Sequence, residues 1–176
     1  MKGESRIIGP LVAVALLCLA GEAMAWECVP GNYQGKTWSV TKELNGLDAT
    51  LTVSRDKGMC RMKFTTQDGS MNEVWDMGDN RIRQLEYRSD GKKAREYGAT
   101  LEVRDGVEGY YIDCAEKGCD AGADSRYFWR IQTPGKKIIY SVWGVAPEKQ
   151  SDPAEKAKKR HEYTFTPVKQ PPVTSH

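Results

Sequence analysis

Histidine is nearly absent from this chain: there are two, His161 and His176. A hydrolytic triad needs an imidazole base, so only His161 is a candidate away from the terminus, and no serine is marked as its partner. There is no C-x-x-C motif, which argues against thiol redox catalysis. The C-x4-C spacing of Cys114 and Cys119 has no second cysteine pair and no H-x3-H beside it, so no zinc site is expected. No glycine-rich loop opens a helix pattern; Gly31 to Gly35 precedes a strand pattern, which excludes a phosphate loop of that kind. A marked charge imbalance is also missing. The formal net charge is +2, with acids and bases interspersed, and this gives no nucleic-acid signature. Beyond residue 25 no run is apolar enough to cross a membrane. No catalytic residue, metal or cofactor is expected on these grounds.

What is present begins with the first 25 residues. Lys2 and Arg6 are followed by an apolar run from Ile7 to Ala20, and then by Ala23-Met24-Ala25. Basic, apolar and small residues in that order read as a secretory signal peptide. A retained N-terminal anchor is the rival reading, disfavoured because no basic stop-transfer flank follows. The mature chain is therefore expected to start at Trp26 and to be periplasmic or secreted, in a bacterium.

Of five cysteines, Cys28, Cys60, Cys114 and Cys119 follow that segment. An even number in an oxidising compartment reads as two disulfides, with three possible connectivities. The short polar turn at 115–118 favours a local Cys114–Cys119 bond, which leaves Cys28–Cys60 for the other.

Alternation of period two dominates from residue 36 to 168. The expected inward rows are Trp38/Val40, Leu47/Ala49/Leu51/Val53, Cys60/Met62/Phe64 and Trp75/Met77. They continue with Leu85/Tyr87, Tyr97/Ala99/Leu101/Val103, Tyr110/Ile112/Cys114, Tyr127/Trp129/Ile131, Ile138/Tyr140/Val142 and Tyr163/Phe165. Ile82 is out of phase with Leu85 and Tyr87, a sign of a bulge or of a misread register. Asn45-Gly46, Asp68-Gly69, Asp90-Gly91, Asp105-Gly106 and similar pairs punctuate the rows as turns, about every 8–13 residues. The expected fold is all-β. It is one antiparallel meander of roughly eight to ten strands over residues 26–168, closed or nearly closed as a barrel. A β-sandwich is the alternative. Asp152-Pro-Ala-Glu155 has the form of a capping box, so a short helix with a basic end (Lys156 to His161) is predicted in the loop 147–161. Residues 169–176 are predicted to be a disordered tail.

The segment Tyr33-Gln-Gly35-Lys-Thr-Trp38 resembles the glycine–tryptophan signature that opens lipocalin and avidin-type (calycin) barrels. The family has G-x-W where this chain has G-x-x-W. The resemblance implies a calycin-like barrel and carries no site residues with it.

The inward aromatics either fill a solid core or line a cavity, since eight or more strands leave room for one small guest. The ligand-lining candidates are Trp38, Trp75, Tyr87, Tyr110 and Trp129, because Trp and Tyr join an apolar face to a hydrogen-bonding tip. Two functional classes follow. One is an exported, non-catalytic protein holding a small amphipathic or lipid-like ligand. The other is a protein-interaction module with a solid core, such as a periplasmic inhibitor or an accessory subunit of an envelope complex. A void of about 300 Å³ or more would favour the first.

Overall fold

A computed structural model describes residues 26–112 and 126–168. The chain forms a closed barrel in which each strand pairs antiparallel with its neighbours in sequence, and the first strand pairs with the last. The strands are β1 (Gly31–Ser39), β2 (Asp48–Asp56), β3 (Met59–Thr66), β4 (Met71–Gly78) and β5 (Arg81–Tyr87). They continue as β6 (Lys93–Arg104), β7 (Val107–Ile112), β8 (Phe128–Gln132), β9 (Ile138–Gly144) and β10 (Lys158–Pro167). The all-β antiparallel meander read from the sequence is therefore the fold, and closure leaves no unpaired edge.

The two ends of the barrel differ. At one end β2–β3 and β6–β7 are joined by two-residue turns, Lys57-Gly58 and Asp105-Gly106, both residues of each having positive φ. That backbone matches the twist of adjacent strands and pulls them together. The N-terminal arm lies at this end. Its Trp26 is 5% exposed and belongs to the core. Cys28 is bonded to Cys60 of β3. Tyr110 is hydrogen-bonded to the Trp26 backbone, and burial with nearby acids pushes its hydroxyl up to about 12. The opposite end carries the longer connections, including residues 145–157.

Between the ends the inner rows pack solid. Leu51, Met62, Phe64, Val74, Ile138 and Phe165 are essentially inaccessible. Each contributes on the order of 1.5–3 kcal/mol by burial. Phe64 contacts the rings of Tyr140, Tyr163 and Phe165 at centroid distances of 4.9, 4.9 and 6.0 Å. Gly35 faces Phe165 in the closing strand pair. A Cβ on Gly35 would lie 2.0 Å from the Thr164 carbonyl oxygen, so only glycine allows this approach.

Three expected rows are reversed. On β1, Thr37 and Ser39 are buried, while Trp38, and Val40 just beyond the strand, are 44% and 47% exposed. Hydrogen bonds remove the penalty of burying the two hydroxyls: Thr37 donates to the Leu44 carbonyl, and Ser39 pairs with His161. Outside, the Lys159 ammonium lies 5.1 Å from the Trp38 ring centre. On β4, Val74 faces in, so Trp75 and Met77 face out; the Arg61 guanidinium stacks 4.7 Å above the Trp75 ring. On β5, Ile82 and Gln84 face in and Leu85 faces out. The remaining rows stand as read where they are described, except that Val103 at the end of β6 is 61% exposed.

The predicted helix is also corrected. Residues Pro147–Lys149 form one 3-10 turn, and Lys158 to His161 already belong to β10. Asp152 caps only the Ala154 N–H. The carbonyls of Gln150 and Glu155 accept from the Arg126 guanidinium, and that of Asp152 accepts from it and from the Glu155 N–H in a single turn. With no apolar stripe to bury, that segment had little to gain from a helix.

Candidate functional site

At the end with the longer connections the barrel interior opens into a pocket of about 400 Å³. It forms because the inner rows turn polar there. On β5 the inner positions run Ile82, Gln84, Glu86, from core to mouth. β6 contributes Tyr97 and Arg95, β9 contributes Tyr140 and Val142, and β10 contributes Tyr163 and His161. Trp129 comes from β8, and Tyr127 immediately precedes that strand.

A hydrogen-bonded chain rises from the pocket floor. The Tyr140 hydroxyl donates to Gln84 Oε1 at 2.5 Å, and Gln84 Nε2 donates to Glu86 Oε1 at 3.4 Å. Gln84 and Tyr140 are almost wholly buried, so the amide and the phenol satisfy each other. Burial raises the Glu86 carboxyl above its usual range, opposed by the Arg95 guanidinium and the Gln84 amide. The Tyr140 hydroxyl is raised well above its ordinary value by its own burial and then by the Glu86 charge. Tyr163 is raised to about 12, mainly by burial.

On the other wall His161 Nδ1 lies 2.7 Å from Ser39 Oγ. That oxygen also accepts from the Thr41 N–H. Burial, reinforced by Arg160, lowers the His161 pKa and keeps the ring neutral. Among the described residues no carboxylate is hydrogen-bonded to His161. The Ser39–His161 pair ties β1 to β10 at the mouth. Among the described residues no group of three or more His, Cys, Asp or Glu is placed to hold a metal ion.

Two of the five expected ligand-lining residues, Tyr87 and Trp129, border this pocket. Trp129 is 1% exposed, lies 5.6 Å from the Tyr97 ring, and its Nε1 has no hydrogen-bond partner among the described residues. Tyr87 reaches the rim where a register shift beside Ala94 interrupts the β5–β6 ladder. Tyr110 is packed in the core at the far end, under Trp26. Trp38 and Trp75 are on the outer face, because the phase of β1 and β4 is opposite to that expected. Cys114 and Cys119 lie outside the described residues.

Sequence reasoning missed Gln84, Glu86, Arg95 and His161 as pocket residues. Gln84 and Glu86 fall on the polar row of a strand whose phase is opposite to that expected, and His161 belongs to the segment predicted as helix; all point inward. The phase conflict at Ile82 exposes Gln84 and Glu86, while Arg95 and His161 stand two residues before Tyr97 and Tyr163 on rows that keep their expected phase. A second depression, of about 550 Å³, lies at the far end among Trp26, Arg55, Lys57 and Asp76. It lies over the hairpin turns and the disulfide arm.

No protein-family model matches this chain, and the comparison with curated proteins gives no match.

Proposed function

We propose that this is an exported, non-catalytic binding protein that holds a small amphipathic molecule in the mouth of a calycin-like barrel. The carrying observation is the pocket itself: about 400 Å³, walled by tyrosines and Trp129, with a few polar groups converging inside. Pockets of that size and composition suit one small guest. The Cys28–Cys60 bond fits folding outside the cytoplasm, and no described helix is long and apolar enough to cross a membrane. A bacterial periplasm or the extracellular space is the expected location.

The test is native mass spectrometry of protein purified without denaturation, together with titration by 1-anilinonaphthalene-8-sulfonate followed through tryptophan fluorescence. Retained ligand, or saturable dye binding lost in Trp129→Leu but kept in Trp38→Leu, supports the reading. No ligand and no saturable dye binding would sink it.

A second reading, a protein-interaction module, draws on the outer wall. Tyr111, Phe128 and Trp143 stack across β7, β8 and β9 at 4.7 and 5.7 Å, with Arg104 above Tyr111. Pull-down by the wild type that is lost in Trp143→Ser, with dye binding intact, would favour it.

A further inference from the structure

The mouth pocket carries charges of both signs: Glu86 and Arg95 are cross-strand partners, the carboxylate half-buried and the guanidinium exposed. Glu86 stands inside, next to nearly inaccessible Gln84. The rings of Tyr127, Tyr140 and Tyr163 line the same pocket as Glu86. The described hydrogen bonds use one of its acceptor positions, at 3.4 Å, where a carboxylate has about four. Its cross-strand partner Arg95 already offsets part of that charge, and the acceptor positions left over favour a further cation that enters. The surrounding rings present π faces, which attract organic cations further.

The rim has the opposite sign. Arg88 and Arg95 border the opening and are exposed. A simple anion would be drawn to the rim but would meet Glu86 within. A simple cation would suit the interior but must pass two guanidinium groups. His161, held neutral, adds no charge to either layer.

We propose that the pocket selects a zwitterion, an ammonium joined to a phosphate or carboxylate, which enters cation first. Its ammonium lies beside Glu86 among the tyrosine rings, and its anionic group stays at Arg88 and Arg95. This rests on the ligand-binding reading above and names the ligand class for the same pocket.

Isothermal titration of the whole mature protein tests it with four probes: phosphocholine, choline, inorganic phosphate and laurate. Dihexanoylphosphatidylcholine, below its micellar concentration, separates a lipid headgroup from a free zwitterion. Phosphocholine is expected to bind at least roughly tenfold more tightly than choline or phosphate, a difference of about 1.4 kcal/mol. Glu86→Gln should weaken phosphocholine by roughly the same factor, while Glu86→Asp keeps part of the affinity. Arg88→Ala with Arg95→Ala should bring phosphocholine down to the level of choline. Circular dichroism of each variant confirms that it is folded. Choline equal to phosphocholine, no effect of Glu86→Gln, or laurate as the tightest probe would each overturn the proposal. If all four probes fail but the naphthalene dye still binds, the zwitterion falls and the ligand-binding reading stands. If the dye fails too, both fall.

Discussion

Trp38 and Trp129 show how little residue type says about a residue's role. Trp129 is 1% exposed between pocket and core; Trp38 is 44% exposed, with a lysine over its ring. Trp129→Ala is expected to cost about 3–5 kcal/mol as a buried aromatic truncation. Trp38→Ala should cost no more than about 1 kcal/mol, the worth of an exposed cation–π contact. Urea unfolding of both variants checks the order, and the reverse order would refute the strand phase described for β1.

Two buried titrating groups give opposite pH signatures. Glu86 faces Arg95 and Gln84 and shares its chamber with Tyr127, Tyr140 and Tyr163. Its raised pKa means that the folded protein holds the proton at a pH where the unfolded chain has released it. Its contribution to stability is full below the ordinary carboxylate value and is lost as pH rises through the folded pKa. His161, beside Ser39 and Arg160, is shifted down. The unfolded chain takes up that proton first, so stability is lost as pH falls below about 6.5. Melting temperature against pH should therefore lose its acid-side gain in Glu86→Gln and its mildly acidic loss in His161→Gln. Unchanged profiles in both variants would contradict these environments.

At the scale of elements, the joint between β1 and β10 closes the barrel, and Gly35 sets how closely they approach. Gly35→Ala must push a methyl group into the Thr164 carbonyl. The expected cost is about 1–3 kcal/mol, as for other overpacked sites, read as a lower urea midpoint with an unchanged slope. A neutral substitution would mean that the strands separate easily. β5 shows why part of the site was illegible. Period two was plain in Ile82, Gln84 and Glu86, but only one of the three is apolar. The apolar Leu85 and Tyr87 on the alternate positions drew the inward row one residue out of phase. Reading the polar face as solvent is sound for a half-buried strand. It fails where the inner row lines a pocket, and functional sites are where such local rules break.

The molecule as a whole divides into a solid half and a hollow half. Trp26, the disulfide and the tight turns close the far end, and large side chains fill the middle. The mouth leaves the pocket of about 400 Å³ lined by the inner rows. The Cys28–Cys60 bond joins positions 32 apart in sequence and anchors the arm that carries Trp26 into the core. By the chain-entropy relation its loss costs about 3–4 kcal/mol. Cys28→Ser with Cys60→Ser should lower stability by that amount in urea, while dye binding at the mouth remains below the new midpoint. Loss of dye binding in folded double variant would mean that the two ends are coupled.

The sequence by itself determined that this is an antiparallel meander, since alternation and Asn-Gly or Asp-Gly turns are local and each carries its own steric reason. It also set the inner face of β2, where Ala49, Leu51 and Val53 alternate with polar residues on the other side. Tertiary structure alone decided strand phase where both sides carry large residues, as on β1 and β4. Ring closure fixes that phase through the β1–β10 register, and no local window contains both strands. Tertiary structure also decided that Glu86 and His161 look inward. Their partners, Gln84 and Tyr140 for one and Ser39 for the other, are supplied by distant strands, and burial of a polar group is settled by the partner it finds.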